Sequence, residues 1–558
     1  MPRGLGQLTK LRSLSDFLVS PLDSDLNMHS AGLNELNGLN YLRGDLQIRN
    51  LGCGKDDAKD YKAANLKAKQ KIRSLKLYWD DSFGLRDDAD AEIKLKGFKP
   101  PPNLRRLELI GYKGAEFPSW LSSLSNLVEF QLSKCEKLKY LPPLSKLPSL
   151  KRLFLKYLDD IEYIMDDSEY IMSDRDYTIF GHGLKIFPSL EELQVYYCPN
   201  LKGWWRQEPL LASLFPCLSE LSVAGCTVLD SMPMFPHLEK ELVLSNASWK
   251  PMQQTLMNMS IFASSSFVPL SKLRRLRLRR IEDLQILPEK GLQNLTSLVS
   301  LQIFHCHRLK SLSQGIQYLT GLQELEINHC DKLDLGCHDE AGMGWQGLKS
   351  LLSLDFVGLP KLVHLPLGLQ HVTTLHKFQI SSCCMLRALP VWICKWTSLQ
   401  QFEISNCPSL ISLPKEMRLL KSLKVLTIRK HCPKLLPRCE PETGEDWSKI
   451  KHIDKLDLDR PSELQEEVKN VTKRFNAYHN YPNSEVNNSV EKSHATGTAK
   501  NTDKKRTPRT FVTNNYTVQQ EGERRLVKGE REEGSDLDGG KKVVEKSRRR
   551  RGVKLRAS

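Results

Sequence analysis

Seven cysteines fall eight residues after a leucine, at Cys135, Cys198, Cys226, Cys306, Cys330, Cys383 and Cys407. A thiolate is a strong nucleophile and a soft metal ligand, so their surroundings decide whether they do chemistry. Two have ligand-type neighbours, in His305-Cys306-His307 and Cys383-Cys384. A zinc site needs a closed set of four ligands, usually announced by a CxxC pair, and no such pair accompanies either cluster. Both read as structural. Phosphate binding needs G-x-x-x-x-G-K-[ST], whose amides cradle phosphate and whose hydroxyl holds magnesium. The nearest match is Gly52-Cys53-Gly54-Lys55, with Arg49 where the first glycine belongs and Asp56 in place of the hydroxyl. There is no nucleophile elbow, no HExxH and no triad spacing. The expectation is therefore no enzyme, no cofactor, and no catalytic or metal-ligating residue.

The spacing of the thiols points instead to the elements that carry them. Between Leu104 and Ile428 one frame, apolar-x-x-apolar-x-apolar, recurs twelve times, starting at Leu104, Leu127, Leu150, Leu190, Leu218, Leu273, Leu298, Leu322, Leu351, Leu375, Leu399 and Leu423. The late intervals are 25, 24, 29, 24, 24 and 24 residues, which is a leucine-rich-repeat period. One such unit cannot bury its own leucines, so the repeats must stack. The fold class that follows is an α/β repeat, a leucine-rich-repeat solenoid (horseshoe). A thirteenth frame around Leu242 and Leu244 is slipped by one residue, because Leu238 to Leu242 is four positions, and a bulge or irregular turn is expected there. The cysteine slot takes a small inward side chain that can bond loop backbone, and Cys432 comes one residue late. Leu-Pro pairs at Leu141-Pro142, Leu389-Pro390 and Leu413-Pro414 end each strand and turn the chain to the convex side. Trp204 and Trp205 read as packing on that side.

Composition agrees with this class. The 558 residues are 40% hydrophobic and 27% charged, with a net charge of +16. From Pro461 to Ser558 there are 22 Lys and Arg against 14 Asp and Glu, and only 16 Leu, Ile, Val and Phe in 98 residues. That is too little apolar surface for a core. The domains expected are a solenoid over 1–455 and a disordered basic C-terminal tail over 456–558. Met1 to Ser20 holds no apolar stretch of signal-peptide length, and no segment has the roughly 18 apolar residues needed to cross a bilayer. Half the 14 cysteines are spent on the ladder rather than on paired caps, which fits a reducing compartment. The location expected is cytoplasmic, with no membrane partner. Lys541 to Arg551 offers a nuclear-import run as a secondary reading.

Several stretches are more specific than the bare repeat. Gly38-Leu39-Asn40-Tyr41-Leu42-Arg43-Gly44-Asp45-Leu46 is followed by a helix-like segment from Ala58 to Lys71 running into Ile72, Leu75, Leu77 and Trp79. Then come Pro102-Asn103-Leu104-Arg105-Arg106-Leu107, Phe117-Pro118-Ser119-Trp120-Leu121, and, near the end, Cys432-Pro433, Cys439 and Thr443-Gly444-Glu445-Asp446-Trp447. Over about residues 1–455 the chain resembles the repeat region of plant disease-resistance proteins of the coiled-coil, nucleotide-binding, leucine-rich-repeat type. The resemblance implies an intracellular immune receptor whose repeats recognise a pathogen effector or a guarded host protein. The family's nucleotide-binding domain and coiled coil are not matched, so a nucleotide partner is expected only through a domain missing from this chain. Two other readings are a repeat-only interaction adaptor and a nuclear, nucleic-acid-associated protein acting through the tail. Nucleic acid is the weaker expectation, since the tail lacks interleaved aromatics.

The face that could bind follows from strand geometry. The second x, the central x and the residue after the last apolar position point away from the core and line the concave side. The row Arg275, Arg277 and Arg279 is the densest cluster of one sign. It is either neutralised by Glu324 and Glu326 two strands on, or it meets an acidic patch on a protein partner. In the second case Phe154, Tyr196 and Phe304 serve as exposed aromatic anchors.

Overall fold

The computed structural model describes residues 3–459, apart from 20–31, 53–57, 80–89, 143, 145–146, 166–186, 207–214, 234, 236, 258–267, 269, 337–342 and 430. The chain divides into two units, Met1–His479 and Asn480–Ser558. The expected disordered tail lies, from residue 460 onward, outside the described residues, as do Lys541 to Arg551 and Cys53 to Lys55.

Every sequence frame becomes a five-residue strand that starts two residues after its first leucine. After β1 (Asp16–Leu18), β2 (Arg43–Leu51) and β3 (Lys71–Trp79) come β4 (Arg106–Ile110), β5 (Glu129–Ser133), β6 (Arg152–Lys156) and β7 (Glu192–Tyr196). The series continues with β8 (Glu220–Ala224), β9 (Glu241–Ser245), β10 (Arg275–Arg279), β11 (Ser300–Phe304) and β12 (Glu324–Asn328). It ends with β13 (Ser353–Val357), β14 (Lys377–Ser381), β15 (Gln401–Ser405), β16 (Val425–Arg429) and β17 (Lys455–Leu458). Each strand pairs in parallel with the next, position for position from β3 onward, as in Leu107 beside Phe130 and Leu132 beside Leu155, whereas the β2–β3 register shifts between Gly44 and Asp45 and between Ile48 and Leu51. Positions two and four of every frame point inward. Together they form one apolar core running from Phe17 to Ile453, in which each buried leucine contributes about 1.5–3 kcal/mol once its neighbours exclude water.

From β4 to β15 the residue after each strand turns left-handed, as at Lys134 (φ 56°), Tyr157 (55°), Tyr197 (54°), Arg280 (50°), His305 (54°) and His329 (51°). A non-glycine residue in that region is strained by about 1 kcal/mol. The compensation is visible: each such N–H donates to the last carbonyl of the following strand, as from Lys134 to Lys156 (2.9 Å) and from His305 to Asn328 (2.8 Å). That turn drives the next side chain inward. Cys135, Cys198, Cys226, Cys306, Cys330, Cys383 and Cys407 are fully buried, each donating to a carbonyl two residues back, such as Cys383 Sγ to Ser381 O at 3.4 Å. The late Cys432 is buried too and reaches three residues back, to Arg429 O at 3.7 Å.

Burial pushes the Cys383 thiol up to about 12, so it stays protonated and shielded, whereas the adjacent Cys384 is exposed. At pH 8, alkylation of the native protein should label Cys384 at least about 100-fold faster than Cys383. Comparable rates, read by mass spectrometry, would place the ladder outside and contradict this packing.

On the convex side the prolines open short 3-10 turns. The carbonyls of Pro366, Pro390 and Pro414 accept the N–H groups of Leu369, Ile393 and Met417, three residues on, in the turns Leu367–His371, Val391–Lys395 and Lys415–Leu419, which bury those same three side chains. Trp204 and Trp205 are buried, with Trp204 edge-on to Phe235 at 5.8 Å.

Three expectations are corrected. The slipped repeat makes no bulge in the ladder: β9 pairs in unbroken register with β8 and β10. Its extra residue is taken up before the strand, where Arg274 and Arg275 donate to two successive carbonyls, Glu239 and Lys240. The segment expected as a helix from Ala58 to Lys71 is helical only over α1 (Ala58–Ala63), because Asn65 turns left-handed (φ 47°) and a 3-10 turn leads straight into β3. Finally, β17 runs past the boundary expected at 455, since Ile453, Leu456 and Leu458 repeat the same apolar frame against β16.

Candidate protein-binding face

Positions one, three and five of the strands form the solvent side of the sheet, so strands one or two steps apart settle one another's charges. Arg152 on β6 donates to Glu129 on β5 at 2.7 Å, Lys76 meets Glu108 at 2.9 Å and Arg106 meets Asp45 at 3.3 Å. Exposed pairs of this kind are worth about 0–1 kcal/mol and serve mainly to cancel local fields.

The arginine row is answered differently from the expectation. Arg275 and Arg277 both reach Glu241 on β9, at 3.6 and 3.3 Å, rather than Glu324 and Glu326. Glu241 belongs to the slipped repeat, so a frame counted from Leu238 misplaces it. Arg279 and the following Arg280 are exposed and have no ion-pair partner among the described residues. The two glutamates face other neighbours: Glu326 accepts from Gln302 at 3.3 Å and lies in register beside Asp355 on β13. Burial first, and then the neighbouring Asp355 charge, raises the Glu326 carboxyl above its usual range. Asp355 is raised by burial although Lys377 stands 3.6 Å away. This end of the concave face is therefore acidic and the β10 row is basic.

Of the expected aromatic anchors, Phe154, Tyr196 and Phe304 sit on the concave side but are only half-exposed. Lys156 Nζ lies 5.3 Å from the Phe154 ring. The open rings stand one residue later, where the chain has turned left-handed. Tyr157 and Tyr197 are 46% and 53% exposed and lie parallel, with centroids 5.1 Å apart and 2° between planes. Strand alternation alone does not find them; their position immediately before the buried cysteine slot is the signal. The structure brings Arg275, Arg277 and Arg279 together on one strand, with Phe304 directly beside Arg279 in the ladder, while Phe154 and Tyr196 lie four and three strands away.

The ligand-type residues around Cys306 are engaged separately. Cys306 faces the core, and His307 Nδ1 is engaged 2.8 Å from Asp331. Among the described residues no three His, Cys, Asp or Glu side chains could hold a metal ion, and no helix is long and apolar enough to cross a membrane.

Residues 33–158 match the family described as R13L1/DRL21 LRRs, and residues 105–244 match the leucine-rich repeats of plant disease resistance protein RPS2-like. The chain is 32% identical over 317 residues to the putative disease resistance protein RGA1 of Solanum bulbocastanum, covering 56% of this chain and 28% of that one. It is 29% identical over 300 residues to RGA4 of the same species, covering 53% and 27%. The chain thus spans about a quarter of the length of these curated relatives. Among solved structures, a leucine-rich-repeat protein of Leptospira interrogans aligns with 81% of this chain and 97% of its own, at 17% identity and a TM-score of 0.41. The two matched stretches together run from residue 33 to residue 244 and build β2 to β9: over them the chain is similar to the leucine-rich repeats of plant disease-resistance proteins.

Proposed function

We propose that this chain is the protein-binding leucine-rich-repeat module of a plant intracellular immune receptor. It recognises a pathogen effector, or a host protein that an effector modifies, in the defence response. The observation that carries this reading is the coincidence of the disease-resistance match with the strands of the concave sheet, whose solvent side presents unanswered arginines and stacked tyrosines. Buried arginine and aromatic anchors are where binding energy concentrates at protein interfaces. Reduced, inward thiols fit the cytosol as its place of work.

The test replaces Arg275, Arg277 and Arg279 by Glu in the full chain, expressed in leaf tissue with a panel of candidate effectors. Partner capture should fall about tenfold or more, while the melting temperature moves by only a few degrees, because all three side chains are exposed. Undiminished capture would remove this row from the interface.

A further inference from the structure

One edge of the concave sheet differs from the rest in charge. From β4 to β15, neither the last residue of any strand nor the residue after it is a carboxylate. On eight of those twelve strands a carboxylate stands at position one or three. The contrast is sharp within single strands. On β6, Arg152 is held by Glu129 at 2.7 Å, whereas Lys156 lies in register between Ser133 and Tyr196, with the Phe154 ring 5.3 Å away. On β10, Arg275 and Arg277 share Glu241, whereas Arg279 and Arg280 lie past its reach. Lys134, Lys156, Arg279 and Arg280 thus line this edge without an ion-pair partner among the described residues.

Two pairs of rings stand along the same edge. Tyr157 and Tyr197 form one stack, and His305 and His329 form another with centroids 5.0 Å apart. Each stack ends on a left-handed glycine. A Cβ on Gly225 would come within 2.8 Å of Tyr197, and one on Gly358 within 2.8 Å of His329. His305 is kept below its ordinary 6.5 by burial and then by His329 and Arg280, so near pH 7 it offers a neutral ring.

We propose that this carboxylate-free band is a docking strip for an extended acidic segment of a partner protein, laid across the strands from Lys134 to His329. The proposal rests on the protein-binding reading above and names the partner's chemistry. Seven strand steps of about 4.8 Å give about 34 Å, the span of about ten extended residues. Asp and Glu side chains of such a segment meet the four free cations, and its apolar side chains lie along the tyrosine stack. A single-stranded nucleic acid also seeks cations and rings, but it needs open ring faces on which to stack bases. Here the facing sides of each pair are spent on one another.

The test pans a display library of random peptides about twelve residues long against the full chain at about 0.15 M salt, with and without poly-uridylate as competitor. Recovered peptides should be enriched in Asp and Glu about threefold or more over the input, and R279E/R280E should weaken them about tenfold. Y157N/Y197N should weaken them as well; asparagine tolerates the left-handed backbone. Serine at Arg548, Arg549, Arg550 and Arg551 should leave them unchanged. No enrichment, enrichment of basic peptides, binding that survives R279E/R280E or is lost with the tail arginines, or displacement by poly-uridylate would each overturn the strip. Acidic peptides held by the strip in a chain that captures no effector or host protein would sink the receptor reading alone, and the reverse result would sink the strip alone.

Discussion

Alanine in place of Asp446 should release the last repeat from the solenoid, at a local cost of about 3 kcal/mol. Asp446 is fully buried yet charged, because its carboxylate is surrounded by donors. One oxygen accepts from Lys449 Nζ at 2.6 Å and Arg438 Nη2 at 3.1 Å, and the other accepts the Leu413 N–H at 2.8 Å. Burial alone would raise its pKa, but the hydrogen bonds from Lys449, Leu413 and Arg438 outweigh it and hold the group below its ordinary 3.8. This carboxylate ties the loop after β15 to the segment that delivers β17. Without it, the Leu413 amide is buried and unsatisfied, Arg438 is left with Glu445 alone, and Lys449 is left with the Leu413 carbonyl. Native-state hydrogen exchange should show faster exchange at Leu413 and over 446–459, with β2 to β14 unchanged, because damage in a linear array stays local. D446N, which keeps an acceptor, should recover part of the loss. The sign of the pH dependence follows: a group depressed in the fold stabilises it above its unfolded pKa and ceases to do so as pH falls through the folded one. The terminal repeat should therefore begin to loosen below about pH 5, well before the rest of the sheet. Uniform exchange along the whole chain would show that Asp446 is no such clasp.

A larger effect is expected at Phe378, at the middle of the apolar core. Its ring lies edge-on to Trp396 at 4.9 Å and to Phe356 at 6.1 Å, and is stacked with Phe402 at 5.3 Å. Trp396 is itself fixed by a 2.8 Å hydrogen bond to Leu369 O, so the surroundings cannot collapse into a hole. F378A should cost about 3–5 kcal/mol, the sum of lost transfer energy and a cavity left open, and F378L about 1 kcal/mol. Denaturant midpoints at constant m-value read this directly. A loss below about 1 kcal/mol for F378A would mean the repeats do not share one packed interior. The exposed pair R279E/R280E should stay within about 0.5 kcal/mol of the parent, which separates packing from recognition on the same sheet.

What the residues alone disclosed was whatever depends on period. Twelve strands and the inward thiols follow from leucines spaced so that neither face of a unit can be dry alone, and each strand begins where the frame places it. Features that depend on a single insertion were hidden. The extra residue before β9 moved Glu241 out of its counted position, and with it the true partner of Arg275 and Arg277. Asn65 turning left-handed cut short a helix that the composition of 58–71 allowed. The open tyrosines escaped because two-residue alternation stops at the strand end, whereas Tyr157 and Tyr197 belong to the backbone turn that follows. Beta17 was missed because its frame starts on Ile453 rather than leucine.

The claim on which the account rests is that the strand side of the repeats, not the turn side, meets another protein. Photo-crosslinking with p-benzoylphenylalanine tests it: one variant carries the probe at Phe304 on β11, another at Tyr318, which is 37% exposed on the 3-10 turn Gln314–Tyr318. In leaf tissue challenged with pathogen, the probe at Phe304 should yield a discrete protein adduct and the probe at Tyr318 should not. Adducts from Tyr318 with none from Phe304 would put recognition on the convex side and contradict the account.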